Sequence, residues 1–303
     1  MQIPWNKSVN CPLPLIFFWR AHGSWLLKRA SAIAYDADSA QIVVADKTGE
    51  VYSFPWPIPL ATAEKHKTVS SLPPVDARTP LTKPTDDRFL GTFLLSHSSS
   101  IVACSFATAP WGRILVTADR DEHVRVSCFP ETWVIAAMGL EHTAFVSCVA
   151  EVNGGIVSGG GDKRVIKWDY AGRRLREHQI SQGSCVRLVR PWRDLVVVVG
   201  EREAKEGEVI TSVVDILEVR DLRVVEQLTV KGAVLDIAFH GDVMFMSIDF
   251  DGVLIREYRQ TPDGFKEVDT ERWKILDSLE TGAKVEIYWL ESMRKLLGHT
   301  DDD

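Results

Sequence analysis

The residues that could do chemistry gather in a few places. Ser158-Gly159-Gly160-Gly161-Asp162-Lys163 has the look of a phosphate loop, since consecutive glycines let backbone amides approach an anion and a lysine would add charge. The spacing argues otherwise. Neither G-x-x-x-x-G-K-[ST] nor G-x-G-x-x-G is present, and a β-branched alternation follows where a helix is needed. Asp119, Asp121 and His123 alternate by two and would share one face of a continuous strand, as metal ligands could. They sit instead at a turn signal, where Asp commonly accepts from backbone amides. His97 and His142 each follow a short apolar run and read as structural hydrogen-bonding groups. No nucleophile elbow, paired-carboxylate motif or nucleotide fingerprint appears. These residues predict no catalytic site, no cofactor and no metal.

The remaining cluster is cationic. Lys163, Arg164, Lys167, Arg173, Arg174 and Arg176 lie close together, with Arg187, Arg190 and Arg193 after them. The chain as a whole carries a formal charge of −7, which argues against a protein that coats nucleic acid unaided. A local reversal of sign could steer an acidic partner surface or tRNA phosphates; a solvated loop face would look the same in sequence. Cys11, Cys104, Cys128, Cys148 and Cys185 are widely spaced with no C-x-x-C pair, which suits free thiols in a reducing compartment. No run reaches the ~18–20 apolar residues that span a membrane, so a soluble protein is expected.

What positions these residues is a repeat. Val44-Ala45-Asp46-Lys47-Thr48-Gly49-Glu50-Val51-Tyr52-Ser53-Phe54 returns as Thr117-Ala118-Asp119-Arg120-Asp121-Glu122-His123-Val124-Arg125-Val126-Ser127, and again as Ser158 to Trp168. Each is a strand, an Asp/Gly turn and a second strand. Asp121 and Asp162 recur at a distance within the ~40–45 residue period of a WD-type propeller blade. An all-β propeller is therefore predicted over residues 30–260, with about five recognisable units. Trp168-Asp169 is the one intact WD pair. Residues 55–90, with Pro55, Pro57, Pro59, Pro73, Pro74, Pro80 and Pro84, cannot fill a strand interior and read as an inserted loop. Residues 1–29 fit the repeat poorly, and 261–303 read as a segment with a helix over 271–297 and an acidic tail. Further blades are expected upstream of residue 1.

The wording of these phrases, with Gly160-Asp162-Lys163-Arg164-Val165-Ile166-Lys167-Trp168-Asp169-Tyr170, resembles the WD-repeat non-catalytic subunit of the tRNA (guanine-N7) methyltransferase. The resemblance implies a seven-bladed propeller without catalysis, in the nucleus. It would hold a S-adenosylmethionine-dependent catalytic subunit that forms 7-methylguanosine in the tRNA variable loop, meeting tRNA only indirectly or weakly. It places partner contacts at Arg120, Asp121, Glu122, Asp162, Lys163, Arg164 and Lys167, and RNA or acidic-surface contacts at Arg173, Arg174 and Arg176. The family often has Arg where Ile166 stands here; Lys167, adjacent, faces the opposite way by strand alternation. The competing reading is a general WD adaptor such as a ubiquitin-ligase substrate receptor. Those often carry W-D-x-R, whereas Ala171 follows Trp168-Asp169-Tyr170 here.

Overall fold

The computed structural model describes residues 30–56, 91–183, 185–201, 211–250 and 253–268. Segment 1–29, most of the proline-rich stretch, the 202–208 hairpin tip, the Asp251-Gly252 turn, the 271–297 helix and the acidic tail lie outside these residues. The described strands form five four-stranded sheets, each with its strands in chain order. The first holds β1 (Ala30–Asp36), β2 (Gln41–Asp46), β3 (Glu50–Pro55) and β4 (Thr92–Ser96). The second holds β5 (Ile101–Ala109), β6 (Gly112–Asp119), β7 (Val124–Cys128) and β8 (Ile135–Gly139). The third holds β9 (Val146–Val152), β10 (Gly155–Gly160), β11 (Arg164–Trp168) and β12 (Arg174–Gln179). The fourth holds β13 (Cys185–Trp192), β14 (Leu195–Glu201), β15 (Thr211–Glu218) and β16 (Val224–Lys231). The fifth holds β17 (Ala233–His240), β18 (Val243–Phe250), β19 (Val253–Thr261) and β20 (Gly264–Val268). Regular structure thus runs past the expected boundary at residue 260.

Leu95 and Ser96, read from sequence as the start of a second unit, belong to the outermost strand of the first. Leu95 pairs with Val51 and Ser96 with Glu50, so the proline-rich stretch joins β3 to β4. The inner strands are the apolar ones because they are covered on both faces. Every residue of β10 is buried, and Val196 to Val199 of β14 are fully so. Each such valine contributes about 1.5–3 kcal/mol on burial. The fourth strand of each sheet is the wet one, as in the almost wholly exposed β12.

These strands group into two compact units, the first ending at Ala136 except for Arg120–Val124, which belong to the second. In the first, Val43, Ala45 and Val51 pack with Ile101, Cys104, Phe106 and Leu115. In the second, Val157 and Val165 meet Val186, Val196 and Val198, and Val197, Val214 and Ile216 meet Val234, Met244 and Met246. The glycine run that imitates a phosphate loop is a packing requirement. A Cβ on Gly159 would stand 2.5 Å from Val186 Cγ1, one on Gly160 2.3 Å from the Phe145 carbonyl oxygen, and one on Gly161 2.5 Å from the Phe145 ring.

A buried polar network fixes the third sheet. Trp168 Nε1–H donates to Ser158 Oγ at 2.7 Å, which leaves the hydroxyl proton for His142 Nε2 at 2.7 Å. His142 Nδ1–H then points at Asp162, 2.9 Å away. The carboxylate also accepts from the amides of Thr143 and Arg164, at 3.1 and 3.0 Å. Burial alone would raise the Asp162 pKa; the hydrogen bond and attraction from His142, with these amides, outweigh it and bring it down to about 2. In the second sheet His97 bonds Asp119 and Thr117, each at 2.8 Å. The carboxylate with this task is Asp119 rather than Asp121, the residue whose spacing matches Asp162. Cys104 and Cys148 are buried thiols, pushed up to about 12 and about 11 by loss of solvent.

Ser158→Ala strips the donor from His142 Nε2 and the acceptor from Trp168 Nε1–H, both inside the core. Urea unfolding should show a loss of about 2–4 kcal/mol; a loss near zero would mean that the network does not hold the sheet. Asp162, held below its unfolded value near 4, adds stability that is complete above about pH 4 and lost as pH falls toward 2. Unfolding measured across that window should show wild type losing about 2 kcal/mol more than Asp162→Asn.

Candidate functional site

The candidate site is a pair of tight turns, Arg120-Asp121-Glu122 between β6 and β7 and Gly161-Asp162-Lys163 between β10 and β11. Both belong to the second compact unit. Each turn must reverse the chain within a few residues, and the residue two before the first valine of the next strand takes a left-handed conformation. In the first sheet that residue is Gly49, with φ of 92°, where a Cβ would lie 2.5 Å from the Ser99 carbonyl oxygen. In the second and third sheets it is Glu122 and Lys163, with φ of 78° and 66°. A side chain in this region costs about 1–2 kcal/mol relative to the right-handed one. Glu122 and Lys163 nonetheless carry long charged side chains there. Among the described residues neither the Glu122 carboxylate nor the Lys163 ammonium has an ion-pair partner. The Lys163 backbone is fixed, its amide donating to Gly160 O and its carbonyl accepting from Ile180 N. Arg120 beside Glu122 is exposed and Asp121 is half-buried.

The other expected contacts divide differently. The Asp162 side chain is 4% exposed and spent on His142, so it shapes the turn and offers a partner nothing. Arg164 donates from Nε to Asp162 at 3.1 Å and from Nη2 to the Glu141 carbonyl, which makes it chiefly a brace. Lys167 is the clear correction. It is buried, and its ammonium donates to the Val219 carbonyl at 3.0 Å. Burial, and then the nearby Arg176 charge, lowers its pKa. Strand alternation did turn it away from Ile166, but that other face is covered too. Ile166 itself is fully buried in the sheet.

The cationic cluster is electrically compensated. Arg173 pairs with Asp169 at 2.8 Å, and Arg174 with Glu141 at 2.9 Å and with Glu177. Arg176 donates to the Leu175 carbonyl at 2.7 Å. Arg190 pairs with Asp236, and Arg193 with Asp242 at 2.6 Å while stacking over Trp192. Sequence reasoning counted the cations and overlooked the acids that the ladder sets beside them. Among the described residues no three metal-ligating side chains come together. Sequence reasoning also missed the exposed aromatic residues of the first unit, Phe93, Trp111 and Trp133, which no period marks out.

The comparisons with known proteins follow this geometry. Residues 76–253 match the model of the tRNA methyltransferase TRM82 WD40 domain. A protein of Aspergillus oryzae named as the tRNA (guanine-N(7)-)-methyltransferase non-catalytic subunit trm82 is 31% identical over 181 residues, covering 49% of this chain and 36% of that protein. The Danio rerio subunit wdr4 is 32% identical over 155 residues, covering 50% and 30%. The chain thus spans about a third of the length of these curated relatives. Among solved structures, the WD40 β-propeller domain of Doa1 superposes with a TM-score of 0.53 at 10% identity, over 79% of this chain and 68% of that one. The five meander sheets are blades of a WD-repeat β-propeller, and the chain belongs to the TRM82 WD40-domain family of tRNA methyltransferase subunits.

Proposed function

We propose that this chain is a non-catalytic platform that binds the catalytic subunit of a tRNA (guanine-N7) methyltransferase and favours its active conformation. The observation that carries this reading is the pair of turns with Glu122 and Lys163 in left-handed backbone, each charge without an internal partner. The relatives' name, non-catalytic subunit, supports it. A platform can raise a partner's activity only by binding its competent state more tightly than the others. Rigid turns suit that task, because little ordering remains to be lost on docking. The charges at Arg120, Glu122 and Lys163 supply register and specificity more than raw affinity. Arg173 and Arg174, already compensated, have a minor part, and tRNA contact through them is weak.

Glu122→Lys with Lys163→Glu should reverse the local pattern and weaken binding to the catalytic subunit by about tenfold or more, with an altered salt dependence. Arg173→Ala with Arg174→Ala should change it by less than about threefold, as for exposed ion pairs. Purified wild-type complex should methylate tRNA far faster than the catalytic subunit alone. Equal rates with and without this chain would refute the reading, and so would undiminished binding by the double-reversal variant.

A further inference from the structure

A groove of about 780 Å³ opens within the first unit, at the strand ends where Gln41 and Arg113 lie. β2 and β6 run away from it toward Asp46 and Asp119, so it sits at the opposite end of these strands from the Gly49 turn. Its floor is the ion pair between Arg113 and the buried Asp36. One wall is Phe93, 53% exposed and set edge-on to Tyr52; the other is Pro130 and Trp133. Trp133 is 74% exposed, and among the described residues its indole N–H has no hydrogen-bond partner.

We infer that this groove takes a proline-rich peptide segment of a partner protein, with a basic residue beside the prolines. Two other peptide geometries fit poorly. Strand addition along β4 needs free edge carbonyls. Leu94 O already accepts from Thr132 Oγ1 at 2.6 Å, and Ser96 O from Arg125 Nη1 at 3.2 Å. A docked helix needs a long apolar trough, and the floor here is an ion pair. A polyproline II helix has no internal hydrogen bonds and leaves its carbonyls outward, where an indole N–H can donate to them. Its rings fit between aromatic side chains such as Phe93 and Trp133. The choice of a basic flank follows from charge. Asp36 and Arg113 cancel, and the exposed Asp38 leaves the rim negative.

The test uses the full chain and a fluorescein-labelled peptide of alternating proline and leucine ending in arginine, followed by anisotropy. A second peptide ends in glutamate. The arginine peptide should bind more tightly. Trp133→Ala should weaken it about tenfold or more, as for a central aromatic anchor, and Asp38→Lys should weaken it several-fold and favour the glutamate peptide. Both positions are exposed, so melting temperatures should stay near wild type. Equal binding of the two peptides, or a Trp133→Ala variant that binds as wild type does, would overturn the inference. So would a chain that is dimeric on gel filtration and made monomeric by Trp133→Ala, since the groove would then be a contact between copies. None of these readouts involves the methyltransferase, so this inference and the proposed function fail separately.

Discussion

The bond from a loop histidine to a turn carboxylate does most to define this structure. His142 stands in the loop that enters the third sheet, and Asp162 in the turn between that sheet's second and third strands. Their bond ties segments that chain connectivity leaves far apart, and Ser158 and Trp168 extend it into the core. His97, Asp119 and Thr117 repeat the arrangement in the second sheet. Buried polar groups carry a heavy penalty when unpaired, so each member depends on the others. The turn is held from below, and its outward side chains can occupy backbone conformations that a loose loop would relax.

A reading of the sequence finds the inner strands readily and the outer ones badly, for a physical reason. Val196 to Val199 must be apolar because both faces of β14 are covered. Arg174 to Gln179 of β12 need only a backbone partner on one side, so Arg-Leu-Arg-Glu-His-Gln shows no hydrophobic period. The same strand misleads about charge. Its arginines look like a cationic surface until pairing brings Glu177 and Glu141 to them. Lys167 shows the complementary limit: alternation gives the side a residue faces, but not whether that side is filled.

The turn motif was also legible to within two residues. Phrase matching equated Asp121 with Asp162, while the histidine partner in the second sheet is Asp119. Both registers satisfy the same spacing between strands, because a turn can draw its carboxylate from either side of the reversal. The left-handed residue is the more faithful marker. Gly49, Glu122 and Lys163 fall at one position relative to the next strand, whichever Asp serves the histidine.

The sulfur atoms of Cys104 and Cys148 lie where water does not reach, and loss of solvent disfavours their anions. Since the thiolate is the reactive form, alkylating reagents and oxidants find little to attack while the blades stay closed. Modification at these positions therefore records how often a blade breathes, giving the fold an internal clock for its own opening.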